Sequence, residues 1–294
     1  MLEYRSRHSI TLPPCLLKIS TLCQLLSYLI FPGIKHFRTQ RKTFQGQPRI
    51  YNCEYSRLIL SSRHDRTSDN DFYAAARIVH HIDDAARRSL AQYYDSALPQ
   101  QGRILDFCSS WVSHYPPRIE QAVAHDKIVV VGMGMNQAEL SRNPILSKTI
   151  LQDLNMDPTI PSGVCGGGAE HELLDASTCV VSIDYLIHPV EVLSSLRERT
   201  RLGGIVHLVV SNRCFPTKAV ARWLQIDEQE RLSMVGDYLY FAGWRDIEVV
   251  DVKASHNEGR AGRDQKQGGL GGFMASFGLG HEDPLWVVRG KRTE

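Results

Sequence analysis

From residue 72 onward the chain alternates between short runs of consecutive apolar residues and longer stretches whose apolar positions recur at helical spacing. Arg103–Phe107 (RILDF), Lys127–Met133 (KIVVVGM), Thr149–Gln152, Thr178–Ile183 (TCVVSI), Ile205–Val210, Asp246–Val252 and Leu285–Arg289 read as strands. Helical spacing covers Phe72–Asp95, Asn136–Arg142, Pro189–Thr200, Thr217–Leu224 and Glu228–Ala242. Pro189 suits a first helical turn, and the Leu202–Gly204 turn falls just past that helix's end. KIVVVGM is apolar on both alternate faces, the pattern of a strand covered from both sides. Seven strands separated by helices of this size predict an α/β fold. The expected architecture is a Rossmann-like, doubly wound, mostly parallel seven-stranded sheet with helices on both faces.

The first quarter of the chain breaks the pattern. Residues 1–53 hold eight Lys/Arg and one acid, Glu3, while the remaining 26 basic and 31 acidic residues give the body a net charge of −5. Two regions are therefore expected: a basic, partly helical or disordered extension over 1–66, and the Rossmann-like domain over 67–294. Cys15–Phe31 is apolar but interrupted by Lys18 and Gln24, short of the roughly 20 apolar residues of a membrane span. It leaves three readings open: a targeting leader to an organelle, a membrane anchor, or an extension without separate function. Membrane contact is expected only if that segment is an anchor. An acidic body argues against nucleic acid as a partner, since such binding rests on phosphate neutralisation. Seven cysteines without a CxxC pair suggest a reduced, cytoplasmic protein, and no Cys/His cluster has zinc-ligand spacing, so no metal is expected.

Doubly wound sheets bind ligands at the carboxyl ends of their strands. Small or polar residues stand at four of those ends: Asp106 with Cys108, Ser109 and Ser110; Gly132 with Gly134, Met135 and Asn136; Asp153 with Leu154 and Asn155; and Ser182 with Ile183. That distribution is what a cofactor cleft needs. The first loop is unusual, because a backbone approaching a cofactor closely is normally glycine-rich, and here Cys108, Ser110 and Val112 occupy the glycine slots.

RILDF, DLN (Asp153–Asn155) and the stretch from Asp175 through the glycine turn to Arg213 resemble the class I S-adenosylmethionine-dependent methyltransferases. More narrowly, CSSWVSHYPP, GMGMNQAEL and SNRCFPTKAVARW are similar to a methyltransferase-like group with the same glycine-poor first loop. The resemblance covers roughly residues 72–294 and implies S-adenosylmethionine as cofactor, with Asp153 against the adenine amino group. Two departures stand out. The loop glycines are replaced, and the acid expected on the ribose after the second strand is missing, with Gly134 in its place. Backbone N–H groups and hydroxyls of Cys108, Ser109 and Ser110 are expected to take the cofactor's carboxylate, and Asn136 to serve the ribose.

Methyl transfer from a sulfonium is an in-line displacement, so the chemistry asks for alignment and at most one general base. The candidates are His81, Asp184, Tyr185, His188, Asn212 and Arg213. Each has a plainer reading: His188 as a helix-start residue, Tyr185 as packing, Asn212 and Arg213 as a turn. In the resembled family the segment holding His81 closes over the cofactor. Absence of an Asn/Asp-Pro-Pro-Tyr/Phe signature at the fourth strand end, together with the acidic body, points to a small-molecule acceptor of the secondary-metabolism kind. Ser255–Asp283, with eight glycines, reads as an insertion between the last strands, or else as a substrate lid. Two rival functions remain open: a non-catalytic binding module on the same fold, and an NAD-linked reductase, the latter lacking both GxGxxG and the ribose acid. Oligomeric state is not readable.

Overall fold

The computed structural model describes residues 41–43 (backbone), 62–166, 172–252 and 283–294. Residues 1–38, including Cys15–Phe31, and most of the glycine-rich stretch (253–282) lie outside the described residues. Eight strands form one sheet: β1 Arg41–Thr43, β2 Gly102–Phe107, β3 Ile128–Gly134, β4 Lys148–Leu151, β5 Leu174–Val180, β6 Thr200–Ser211, β7 Arg245–Asp251 and β8 Leu285–Lys291. Their order is β1-β7-β8-β6-β5-β2-β3-β4. The block β6-β5-β2-β3-β4 is parallel, β8 is antiparallel to both β6 and β7, and β1 adds an antiparallel edge on β7. The seven expected strands are all present, and β1 is an addition. After β2 the chain winds outward through β3 to β4, then returns to the other side of β2 with β5. The strand order thus reverses between β2 and β5, and the carboxyl ends there splay to leave a crevice.

Two buried layers sandwich the sheet. Neighbouring residues point to opposite faces, so Ile104 and Val130 join one core, while Leu105 and Val131 join the other. Helices α2 (Asp84–Ala97) and α3 (Pro117–Ala124) cover the first face with Leu90, Tyr94 and Ile119. On the second face α5 (Pro189–Arg199), α6 (Ala221–Gln225) and α7 (Glu228–Phe241) contribute Leu193, Trp223 and Leu239. Among the described residues no helix is long and apolar enough to cross a membrane.

The structure departs from the periodicity in specific places. The helix expected over Phe72–Asp95 is two helices, α1 (Asp69–Phe72) and α2, separated by an irregular stretch. Asp83 starts α2 by accepting from the Ala86 N–H at 2.7 Å, a standard N-cap. Several backbone groups before it bond to distant residues, the Tyr73 and Ala74 carbonyls to Asn136 Nδ2 and the Arg77 N–H to Glu139. β5 stops at Val180, short of the expected Ile183, because Val181 has φ +41° and Ile183–Tyr185 forms a 3₁₀ turn. The Leu202–Gly204 turn is absorbed into β6, where Gly203 has φ +81°. Helix α3, with Pro117 at its first turn, has no counterpart in the periodicity reading.

Residues 62–66 pack on the domain as well. The Ala221 N–H donates to the Ser62 carbonyl at 2.7 Å, the Asp65 N–H to the Thr217 carbonyl at 2.8 Å, and Arg63 bridges to Val220.

Candidate functional site

A cavity of about 420 Å³ opens where the strand order reverses, walled by the ends of β2, β3, β4 and β5. Its floor is the β2 loop. Cys108 there has φ +53°, a left-handed conformation natural to glycine, so the loop keeps the glycine backbone without the glycine. Such a conformation costs a side-chain-bearing residue about 1–2 kcal/mol. The end of β3 lies against this loop. The Ser109 N–H donates to the Met133 carbonyl at 2.8 Å, and a Cβ added to Gly134 would stand 2.2 Å from the Ser109 carbonyl oxygen. Gly134 is therefore fixed by a backbone-to-backbone approach.

The loop hydroxyls are bonded to protein carboxylates. Asp106, 3% exposed at the end of β2, accepts from Ser109 Oγ at 2.6 Å, Ser113 Oγ at 2.7 Å and Thr178 Oγ1 at 3.1 Å. Burial pushes the Asp106 carboxyl above the usual range, and these three hydroxyls oppose that shift. Ser110 Oγ donates at 2.6 Å to Glu139 Oε2. A hydroxyl whose proton goes to a protein carboxylate cannot donate it to a ligand carboxylate. The structure thus engages the Ser109 and Ser110 hydroxyls with Asp106 and Glu139, where the sequence reading gave them to the cofactor's carboxylate.

Asn136 is also differently employed. It caps α4 (Gln137–Leu140) by accepting from the Glu139 N–H at 3.0 Å, while Nδ2 donates to the Tyr73 and Ala74 carbonyls at 2.8 and 3.1 Å. Its amide nitrogen is thus tied to the strap and its oxygen to the cap of α4. An acid is present after β3 after all: Glu139, one helical turn later, lines the cavity. The pattern Asn136-x-x-Glu139 is a capping-box signature and was the available signal for it. Asp153, at the end of β4, holds Oδ1 in a turn with the Asn155 N–H at 2.9 Å.

A strap formed by residues 62–82 roofs the cavity, and sequence reasoning had missed most of it. Asp69, 4% exposed, binds Arg63 at 2.9 and 3.0 Å, Lys218 at 3.2 Å and Asn155 Nδ2 at 2.8 Å. Further along, the Arg77 N–H donates to Glu139 Oε1 at 2.7 Å, and Trp111 Nε1 donates to the Val79 carbonyl at 3.2 Å. Phe72, Tyr73, Arg77 and His81 cluster around Phe215, with the His81 ring edge-on to it at 5.4 Å.

Of the expected cofactor residues, Asp106, Cys108, Ser109, Ser110, Gly134, Met135, Asn136, Asp153, Leu154, Asn155 and Ser182 line the cavity. Gly132 and Ile183 do not. Gly132 lies inside β3 against Leu146, and Ile183 is 1% exposed in the core, because β5 ends earlier than expected. His81, Tyr185 and Arg213 line the cavity, whereas His188 and Asn212 are exposed outside it. Asp184 is buried behind the wall, where desolvation raises its carboxyl to about 8. Burial lowers His81, with Glu139 opposing, so its imidazole is held neutral over a wider pH range. The Tyr185 hydroxyl accepts from the Phe215 N–H at 2.8 Å, and burial pushes its ionisation well up.

Fold and crevice together define a Rossmann-like domain with its cavity at the topological switch point. No protein-family model matches the chain, and no curated protein matches it in sequence. Many of the solved structures it is similar to are S-adenosylmethionine-dependent methyltransferases. Phosphoethanolamine N-methyltransferase 2 of Haemonchus contortus, in complex with S-adenosyl-L-methionine, is 13% identical over 70% of this chain and 52% of that one, with a TM-score of 0.43. This chain thus spans about half the length of that enzyme. A SAM-dependent methyltransferase from Archaeoglobus fulgidus is 11% identical over 70% of this chain and 94% of the other, TM-score 0.43. The [4+2]-cyclase SpnF is 15% identical over 76% and 91%, TM-score 0.44. Likeness at this level concerns architecture alone, and the functional reading rests on the cavity.

Proposed function

We propose that the chain is an S-adenosylmethionine-dependent methyltransferase acting on a small molecule. The observation that carries the reading is the cavity itself, at the strand reversal, with a backbone-lined floor and two carboxylates, Glu139 and Asp153, on its β3 and β4 sides. Its volume lies within the roughly 300–1,000 Å³ of small-molecule and cofactor sites. The acceptor set suits a nucleoside: Glu139, which already accepts from the Arg77 N–H and Ser110 Oγ, has further lone pairs for sugar hydroxyls, Asp153 Oδ2 accepts from an adenine amino group, and Leu154 and Met135 supply apolar contact. S-adenosylmethionine supplies an electrophilic methyl group on a sulfonium. The protein's share of the work is to hold the acceptor in line with that group and to keep water out, which the strap does by roofing the cavity. His81, lowered by burial, is suited to take a proton from an acceptor hydroxyl or amine that must lose one.

A cavity lined on its strap side by Tyr73, Arg77 and His81 favours a compact acceptor over a polymer. The second reading, a binding module without turnover, is favoured by one observation: the Ser109, Ser110 and Asn136 side chains are committed within the protein. The test is transfer of label from methyl-tritiated S-adenosylmethionine in an extract from the source cells. Label entering the small-molecule fraction supports the proposal, and label in protein or nucleic acid overturns the acceptor class. Cofactor binding without any transfer leaves the binding module.

A further inference from the structure

The amino-acid end of an S-adenosyl ligand brings a carboxylate into the cavity, and the floor of this cavity is ill-suited to receive it. Ser109 and Ser110 donate their protons to Asp106 and Glu139, and both acids are themselves on the cavity lining. Negative potential there disfavours a second carboxylate. The neutralising charge has to come from elsewhere on the wall. Among the described residues, two arginines, Arg77 and Arg213, are on the lining of the cavity. Arg213 is ion-paired with Asp283 at 2.7 Å. Arg77 has no carboxylate on its guanidinium, since Glu139 takes only its backbone N–H. Its Nη2 donates to the Phe72 carbonyl at 2.9 Å, and Nη1 is shielded from solvent without an acceptor. The Phe72 ring, 4.4 Å from its Cζ, and the Phe215 ring, 5.6 Å away, set the plane of the guanidinium.

We propose that Arg77 anchors the carboxylate at the amino-acid end of the S-adenosyl ligand, in place of the loop hydroxyls. This assignment rests on the cofactor reading given above. It makes the strap more than a cover: the residue that recognises the charged end of the ligand sits on it. It also makes the site selective for nucleosides that carry the amino-acid group over those that do not.

The experiment titrates the full chain calorimetrically with S-adenosylhomocysteine and with 5′-methylthioadenosine, which keeps the adenosine and sulfur but lacks the amino-acid end. Arg77→Met removes the charge and keeps most of the aliphatic volume. It should weaken S-adenosylhomocysteine by about 10- to 100-fold, the range for a hydrogen bond to a charged group, and leave 5′-methylthioadenosine within about twofold. Arg77→Lys, which keeps a point charge without the bidentate fork, should stay within about fivefold of the parent for S-adenosylhomocysteine. The proposal is overturned if Arg77→Met leaves the ratio of the two affinities unchanged, whether both fall together through a disturbed strap or neither moves. A parent protein that binds neither nucleoside overturns the cofactor reading and this assignment with it. A parent that binds S-adenosylhomocysteine beside an indifferent Arg77→Met overturns this assignment alone.

Discussion

The strap is held down by a buried ion cluster, and replacing Asp69 by Asn probes it directly. Side chains of Asp69 and Lys218 are 2% and 0% exposed, and that of Arg63 is 10% exposed. Asp69 is the shared anion: it takes two bonds from Arg63 at 2.9 and 3.0 Å and lies 3.2 Å from Lys218 Nζ. Asp65, 3.3 Å from Lys218, is the other carboxylate on that ammonium. Asn at position 69 keeps the shape and loses the charge, taking the carboxylate from Arg63 and leaving Lys218 with Asp65 alone. Removing one partner from a buried ion pair costs about 3–5 kcal/mol, because the remaining charge is stranded without water. For a domain of this size each kcal/mol lowers Tm by about 2–4 °C, so Asp69→Asn should melt roughly 6–20 °C below the parent. Lys218→Met removes the more deeply buried cation. In the double variant Asp69→Asn with Lys218→Met the loss should be smaller than the sum of the single losses by about 0.5–3 kcal/mol. Thermal melts of the four proteins read the cycle, and hydrogen exchange over residues 62–82 reports whether the strap is what loosens. An Asp69→Asn protein within about 1 kcal/mol of the parent, or strictly additive variants, would refute the latch.

Gly134→Ala places a Cβ 2.2 Å from the Ser109 carbonyl, so it should cost about 1–3 kcal/mol and impair nucleoside binding. Gly203→Ala meets no close atom but has φ +81°, so it should cost about 1 kcal/mol in melts with binding unchanged. His207, fully buried with Nδ1 on the Tyr93 hydroxyl at 2.8 Å, is pushed down to about 3 by burial. Its neutral form stabilises the fold fully above the unfolded pKa near 6.5, and that contribution fades as pH falls from there toward 3. Relative to His207→Gln, the parent should lose about 2 kcal/mol between roughly pH 7.5 and 5 in denaturant titrations, and parallel curves would sink the assignment. A chain beginning at Ser62 should melt above one beginning at Thr67, which lacks Arg63 and Asp65. Equal melting would place the boundary of the folded domain after those residues.

The sheet was legible because its central strands are buried on both faces and read as unbroken apolar runs, as in Ile128–Val131. Pro189 opens a helix that local rules describe well. The strap was not legible, because its bonds join residues far apart in sequence, such as Tyr73 with Asn136 and Arg77 with Glu139. Local periodicity extended a helix through it. The β2 loop was half legible. Its position, and the need for a glycine-like backbone, follow from the sequence, and Cys108 has that backbone. The direction of its hydroxyls depends on Asp106 and Glu139, acceptors placed by the tertiary fold. Glu139 itself was hidden by the expectation of an acid immediately after the strand, whereas it arrives one turn into α4.

The most direct measurement of the cofactor assignment is a crystal structure of the full chain grown with S-adenosylhomocysteine. The account requires density across the carboxyl ends of β2 to β5, with the adenine beside Asp153 and Leu154, the ribose at Glu139, and the amino-acid end reaching Arg77 under the strap. A nucleoside bound elsewhere on the domain, or a cavity that stays empty at saturating ligand, would contradict it.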